Sequence, residues 1–144
     1  MTKTELNAEG KQRCFRAAFY LMPHLSEVAE SHGYALAAHG SLSRDIDLIA
    51  CPWTSAAVEA SVLAEAIRCA AEEVTGHAFY GPHESDEYFR AGCPGAKPHG
   101  RLVWSFHLGG GPYIDLSVMP RLIETHQEEL DRIAKLTGQE AVKL

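Results

Sequence analysis

Two aspartates, two residues apart in an apolar run, are the part of this 144-residue chain best suited to chemistry. Asp45 and Asp47 alternate with apolar residues as in a strand with one buried face; these are Ile46, Leu48 and Ala50. Because successive side chains of a strand point to opposite faces, both carboxylates point the same way. Like charges side by side on an apolar strand lower stability unless something neutralises them. A bound divalent cation is the simplest compensation.

A third carboxylate, Asp115, lies in a second apolar strand pattern. If the two strands are neighbours, three hard oxygen ligands share one sheet face and suit Mg²⁺ or Mn²⁺. Two such ions can activate an attacking hydroxyl and neutralise a leaving pyrophosphate. Upstream, Gly40 permits close backbone approach, Ser41 adds a hydroxyl, and amides at such a turn cradle phosphates. The alternative is that these are solvated carboxylates on an exposed sheet face.

The elements that position these residues begin with an amphipathic helix ended by Gly33. Its apolar residues recur at steps of three and four; they are Phe15, Ala18, Phe19, Met22, Leu25, Val28 and Ala29. Pro23 predicts a kink or two abutting helices. A strand over 34–38 follows, then a second strand that Pro52 closes. The link between them is too short for a crossover helix, so we expect antiparallel neighbours.

A second helix is predicted, capped by Thr54 or Ser55 and ended by Gly76. Its apolar residues are Val58, Val62, Leu63, Ala66, Ile67, Ala70 and Val74. Residues 76–100 are the least regular part of the chain, with a short strand expected over 77–80, and a loop of this length is usually functional or mobile.

Residues 101–108 alternate cleanly, and a glycine-rich turn returns the chain as a partner strand over 113–119. A final helix ends near Gly138; its apolar residues are Leu122, Ile123, Leu130, Ile133 and Leu136. We predict one domain over 1–144, of α/β (α+β) class, with a small mixed sheet flanked by helices. The metal site is expected on the open face of that sheet.

Composition excludes several classes of protein. The net charge of −6 argues against broad, sequence-independent DNA binding. No apolar run approaches the roughly 18 residues of a membrane span, and the N-terminus lacks the core of a secretory signal. The four cysteines, Cys14, Cys51, Cys69 and Cys93, are widely spaced. We interpret them as structural thiols, mostly buried, in a reducing, cytoplasmic setting. Eight histidines lack the close spacing of a structural zinc site, so zinc is not expected.

Gly40-Ser41, Asp45-x-Asp47 and the strand-borne Asp115 together resemble the signature of the DNA polymerase β-type nucleotidyltransferase superfamily. The order of helices and strands over roughly residues 10–120 is similar too, and covers a minimal catalytic core. The chain also looks like small nucleotidyltransferase-like proteins of phages and prophages. The link from Gly-Ser to Asp-x-Asp is shorter than in many members, which place a short helix there.

The resemblance implies that Asp45 and Asp47 bind metal and that Asp115 binds metal and helps activate the acceptor hydroxyl. It implies that the Gly40-Ser41 backbone, with Ser43 nearby, holds the triphosphate. The expected reaction transfers a nucleoside monophosphate from an Mg²⁺-bound nucleoside triphosphate, such as ATP, to a hydroxyl of an unidentified small molecule, protein or RNA. The main alternative is a catalytically inactive member that binds a nucleotide or a protein, for example a phage factor acting on a host protein. A glycosyltransferase and a two-metal hydrolase are weaker alternatives.

Four further residues are candidates for nucleotide binding. Arg44 could hold a phosphate or pair with a carboxylate. His107 could orient a ligand or act as a base if its strand borders the aspartates, or be a satisfied sheet histidine. Lys97 and Arg101, with His99, form a basic cluster that could grip a triphosphate or acceptor, or simply end a solvated loop.

Overall fold

The computed structural model describes residues 2–81, 94–121 and 125–138. Within these ranges the chain forms six strands and three helices, α1 (Lys3–Ser31), α2 (Ala60–Thr75) and α3 (Thr125–Thr137). The strands are β1 (Tyr34–His39), β2 (Ile46–Pro52), β3 (Phe79–Tyr80), β4 (Gly95–Ala96), β5 (Leu102–His107) and β6 (Tyr113–Val118). This mixed α+β architecture confirms the predicted fold class. No helix among these residues is long and apolar enough to cross a membrane.

The strands form one mixed sheet in the order β1-β2-β6-β5-β3, with β4 also paired to β5. β1 and β2 are antiparallel neighbours, as the short link between them predicted. β2 and β6 are parallel, and β6 and β5 are antiparallel. The parallel pair lies at the centre of the sheet, so residues from two distant parts of the chain are brought side by side.

One face of the sheet is buried under α1 and α2, which also pack on each other. The strand residues of that face are fully or almost fully buried; they are Ile46, Leu48, Ala50, Trp104, Phe106, Ile114, Leu116 and Val118. Each of them alternates with a residue that points to the opposite face. The other face therefore carries the polar residues of β2, β5 and β6.

The first helix is one continuous element that contains Pro23, so two abutting helices are not observed. A capping box at its start joins Thr2 and Glu5, and Gly33 follows its C-cap with a φ of 84°. The buried row shares Ala18, Leu25 and Ala29 with the predicted one and adds Cys14 and Leu21. Phe15 and Phe19 were wrongly assigned to the core, since both lie on the solvent side of this row.

The second helix begins later than predicted. Its N-cap is Glu59, so Thr54 and Ser55 do not cap it, whereas Gly76 ends it in the left-handed conformation as expected. Val62 and Val74 are exposed, contrary to prediction, because the buried side of the helix is centred on Leu63 and Ile67.

Other predictions have mixed outcomes. Cys14 is buried, but Cys69 is exposed and Cys51 is intermediate in exposure. Ile133 and Leu136 of α3 are exposed. Three predicted features lie outside the described residues: the centre of the 76–100 segment, Cys93, and the pair Leu122 and Ile123.

The corrected helix row can be tested with a matched pair of substitutions. Leu25→Ala should lower the free energy of unfolding by about 2–5 kcal/mol, because Leu25 is fully buried and its loss leaves a cavity. Phe19→Ala should change it by no more than about 0.5 kcal/mol, because the ring is 71% exposed. Urea unfolding measures both; a larger loss for Phe19→Ala would contradict the observed packing of the helix.

Candidate functional site

A row of polar residues crosses four strands on the face of the sheet away from the helices. Asp47 of β2 is the register partner of Asp115 on β6, and these strands are parallel. His39 of β1 is paired with Asp47, and Ser105 of β5 is paired with Asp115. We call the sheet face defined by these four residues the acidic face. The two aspartates are therefore adjacent because of backbone pairing, although 68 positions separate them in the chain.

Asp45 joins this face at the end where β2 begins. Burial is the main reason that the pKa of its carboxyl is raised, and the neighbouring charge of Asp115 adds to the effect. Arg44 opposes the rise, Asp47 reinforces it, and a hydrogen bond from the backbone N–H of Tyr113 lowers the pKa. Asp45 therefore senses both other aspartates, and its charged form is electrostatically disfavoured in the protein alone.

Gly40 makes close contact with Asp47. Its φ is +74°, and a Cβ added there would lie 2.8 Å from Oδ2 of Asp47. Any larger residue would displace the carboxylate and would also be strained by the left-handed backbone. Beyond Gly40, the hydroxyls of Ser41 and Ser43 are hydrogen-bonded at 2.7 Å. The Gly-Ser turn is thus packed directly against an aspartate of the acidic face.

A cavity of about 400 Å³ opens beside Asp45. Two guanidinium-bearing residues, Arg13 and Arg44, line it together with Asp45 and two glycine-containing segments, Gly10 of α1 and the turn 110–113. Arginine is the side chain best suited to phosphate, since its fork of N–H donors matches phosphate oxygens. The cavity therefore combines an anion-binding lining with one carboxylate of the acidic face.

A second depression, of about 300 Å³, lies on the other side of the Gly-Ser turn. Lys11 and Arg16 of α1 line it, along with Ser41 and Ser43. The N-terminal half of α1 therefore contributes three cationic residues around this turn. Cys14 lies in this half of α1. Burial raises the pKa of its thiol, and the charges of Asp45 and Asp47 add to the rise.

The other predicted site residues are distributed unevenly. Arg101 lies on the acidic face, where Nη1 donates a 2.7 Å hydrogen bond to Oγ of Ser117, the next residue of that face after Asp115. His107 also belongs to this face and contacts the ring of Tyr113 at a centroid distance of 4.1 Å. Its buried Nε2 has no hydrogen-bond partner among the residues that the structure describes. Lys97 is exposed, and its backbone N–H donates a 2.9 Å hydrogen bond to the carbonyl of Arg101.

Sequence reasoning missed three residues. Ser105 donates a 2.6 Å hydrogen bond to Oδ1 of Asp115, and alternation along β5 already placed it on the face that carries His107. His39 could have been found only by knowing the register of β1 against β2. Arg13 depends on how α1 docks beside the turn, for which the sequence carries no signal.

The donor chemistry of the acidic face suits a hard cation, because all three acids offer carboxylate oxygens. In the described part of the chain, no three His, Cys, Asp or Glu side chains form a ready-made metal-holding group. One oxygen of Asp115 is engaged by Ser105. The contact of Gly40 with Asp47 and the raised pKa of Asp45 are the features that fit a site completed by a ligand.

Comparisons of the chain with known protein families, with curated proteins and with solved structures found no match. Arguments about function therefore depend on the site itself.

The charge at Asp45 can be tested through stability. The folded state holds the Asp45 proton more tightly than the unfolded chain does, because its pKa is raised above the ordinary value of 3.8. The free energy of unfolding should therefore fall as pH rises through the window above 3.8. Asp45→Asn removes this loss, so at pH 7 without metal its Tm should exceed the wild-type value.

Melting curves between pH 3 and pH 8 in a chelating buffer measure this difference, which should shrink at the acidic end. Glu73→Gln, on the exposed side of α2, is the matched control for loss of a negative charge. Equal changes for the two variants at pH 7 would contradict a specific effect of the acidic face.

Proposed function

We propose that this protein is a metal-dependent nucleotidyltransferase. It transfers a nucleoside monophosphate from a nucleoside triphosphate to a hydroxyl, and releases pyrophosphate. The observation that carries the proposal is the parallel register of Asp47 with Asp115, beside a cavity that contains Asp45 and two arginines. Carboxylates and phosphate-binding cations at one place suit a Mg²⁺- or Mn²⁺-bound triphosphate.

In this proposal the three aspartates would hold the cation, and Mg²⁺ or Mn²⁺ bound there would neutralise phosphate charge and acidify the attacking hydroxyl. Arg13 and Arg44 bind the β- and γ-phosphates from the 400 Å³ cavity. The serines of the Gly-Ser turn and the cations of the second depression flank the same phosphates. These side chains position the triphosphate and stabilise the charge that develops on the leaving group.

The group transfer is a single displacement at the α-phosphorus. The acceptor oxygen forms a bond to that phosphorus, and the bond to the bridging oxygen of the β-phosphate breaks. The electron pair of the broken bond leaves with pyrophosphate, and the hydroxyl proton passes to the carboxylate of Asp115. Ser105 orients that carboxylate through its 2.6 Å hydrogen bond to Oδ1.

A second candidate function, nucleotide or protein binding without catalysis, is favoured by one observation. Phe15 and Phe19 of α1 are 59% and 71% exposed, and they line an apolar groove of about 370 Å³ that also includes Leu42. Exposed aromatic side chains beside a groove are typical of surfaces that contact other proteins. Leu42 also lines the depression at the Gly-Ser turn, so a protein bound there would lie next to the phosphate site.

Pyrophosphate release distinguishes the two functions. Wild-type protein with Mg²⁺ or Mn²⁺, each nucleoside triphosphate in turn, and a panel of small-molecule, protein and RNA hydroxyls should release pyrophosphate and label one acceptor. Asp47→Asn and Asp115→Asn should each reduce the rate at least ~100-fold, because catalysis rests on these charges. Glu27→Gln, an exposed carboxylate of α1, is the matched control and should retain the wild-type rate. Triphosphate binding without pyrophosphate release across the panel would favour the binding function instead.

Gly40→Ala tests the link between the turn and the carboxylates. The new Cβ would lie 2.8 Å from Oδ2 of Asp47, so the carboxylate must move and Mn²⁺ affinity should fall about 10-fold. Gly76→Ala is the matched control, because Gly76 has a similar φ of +83° but no atom within 4 Å of the added Cβ.

Both variants should lose roughly 1–2 kcal/mol of stability from left-handed strain. Only Gly40→Ala should weaken Mn²⁺ binding, as measured by calorimetry. An equal Mn²⁺ affinity for the two variants would show that Asp47 does not hold the metal.

A further inference from the structure

A large cleft lies at the opposite end of the acidic face from the arginine-lined cavity. Its volume is about 890 Å³, and it opens where β2 and β6 end. The lining is mostly apolar and includes Met119. It also includes the indole of Trp53 and two basic side chains, His99 and Arg121. We infer that this cleft binds a nucleobase, which extends the proposed nucleotidyl transfer and rests on it.

Trp53 is an aromatic surface held in place by its backbone. Its side chain is 78% exposed, yet its backbone N–H donates a 2.8 Å hydrogen bond to the carbonyl of Gly33. The N–H of Thr54 donates to the same carbonyl at 3.1 Å. Gly33 is itself confined, because a Cβ there would lie 2.6 Å from the backbone of Ala57. An exposed indole on an anchored backbone offers a surface on which a planar ring can stack.

The cleft is continuous with the acidic face. Cys51 and Met119 line the cleft, and they lie four residues beyond Asp47 and Asp115 along the two parallel chains. The N–H of Met119 donates to the carbonyl of Ala50 at 2.9 Å, which continues the pairing past the end of β6. At 3.3 Å per residue, the cleft lies about 13 Å from the aspartate row.

Arg101 lies between the acidic face and the cleft. It donates to Oγ of Ser117 on the acidic face and to the carbonyl of Pro98, in the turn that carries His99 into the cleft. The guanidinium therefore provides a positive charge on the path from the aspartates to Trp53.

The order of these features along the sheet matches the order of groups in the reaction. The arginine-lined cavity would hold the β- and γ-phosphates, the aspartates face the α-phosphorus, and the cleft lies on the far side. An acceptor that attacks in line with the leaving pyrophosphate approaches from that side, and the donor nucleoside projects sideways from the α-phosphorus, away from the β- and γ-phosphates. Donor and acceptor share a planar, hydrogen-bonding ring. Such a ring stacks on an aromatic side chain whichever base it belongs to.

Tryptophan fluorescence reports on this cleft directly. The chain has two tryptophans, and Trp104 is only 3% exposed, so Trp53 is the tryptophan that a ligand can quench. Adenosine and each of the four ribonucleoside triphosphates would be titrated into wild-type protein with Mg²⁺, and inorganic tripolyphosphate would serve as the ligand without a ring. At least one ring-containing ligand should quench Trp53, whereas tripolyphosphate should bind without quenching.

Calorimetry on Trp53→Ala and Trp53→Phe then separates stacking from folding. Trp53→Ala should lower the affinity for the ring-containing ligand about 10–100-fold. Trp53→Phe should retain most of the wild-type affinity. Tripolyphosphate should bind wild type and both variants equally. If Trp53→Ala lowers the affinity for a nucleoside triphosphate, the cleft holds the base of the donor. If only adenosine, added to protein saturated with a non-hydrolysable triphosphate, depends on Trp53, the cleft holds the acceptor base.

The inference is overturned if no ring-containing ligand depends on Trp53. Failure of the proposed function gives a different result: tripolyphosphate would not bind wild type, or would bind Arg13→Ala equally well. Adenosine binding that still depends on Trp53 would then support the cleft without the triphosphate site.

Discussion

The arrangement of the site depends on the parallel pairing of β2 with β6. This pairing sets Asp47 beside Asp115 at the centre of the sheet, where their separation is fixed by the backbone ladder rather than by flexible side chains. The opposite face of the same strands is completely buried under α1 and α2, so a shift of one residue would bury the acids and expose the core. The hydrophobic core therefore enforces the crowding of negative charge. The pKa of the Asp45 carboxyl is raised first by burial and then by the neighbouring charge of Asp115.

Strand alternation made the sheet predictable, whereas helix docking did not. The clean two-residue period of β2, β5 and β6 correctly assigned the buried and polar faces of each strand. The stripe predicted for α1 correctly contained Ala18, Leu25 and Ala29, but it also included the exposed Phe15 and Phe19. The row that is buried is built from smaller residues such as Cys14 and Ala18, which allow the helix to approach the sheet closely. Arg13 and Trp53 gained their importance only from the tertiary positions of α1 and of the loop after β2.

Charge is distributed along the acidic face in a way that net composition conceals. The chain carries a net charge of −6, yet Lys11, Arg13 and Arg16 of α1 gather around the Gly-Ser turn. Cations at one end, carboxylates in the middle and an exposed indole at the other end form a sequence of environments along two parallel strands. In the proposed function these three environments receive the phosphates, the reacting phosphorus and the aromatic ring.

The proposed function requires that a divalent cation bind among the three aspartates. Diffraction from crystals grown with Mn²⁺ and a non-hydrolysable nucleoside triphosphate tests it most directly, since anomalous scattering locates manganese without ambiguity. The account predicts a manganese peak bounded by carboxylate oxygens of Asp45, Asp47 and Asp115, with phosphates extending toward Arg13. Bound triphosphate with manganese elsewhere, or no manganese beside these carboxylates at saturating concentration, would contradict it.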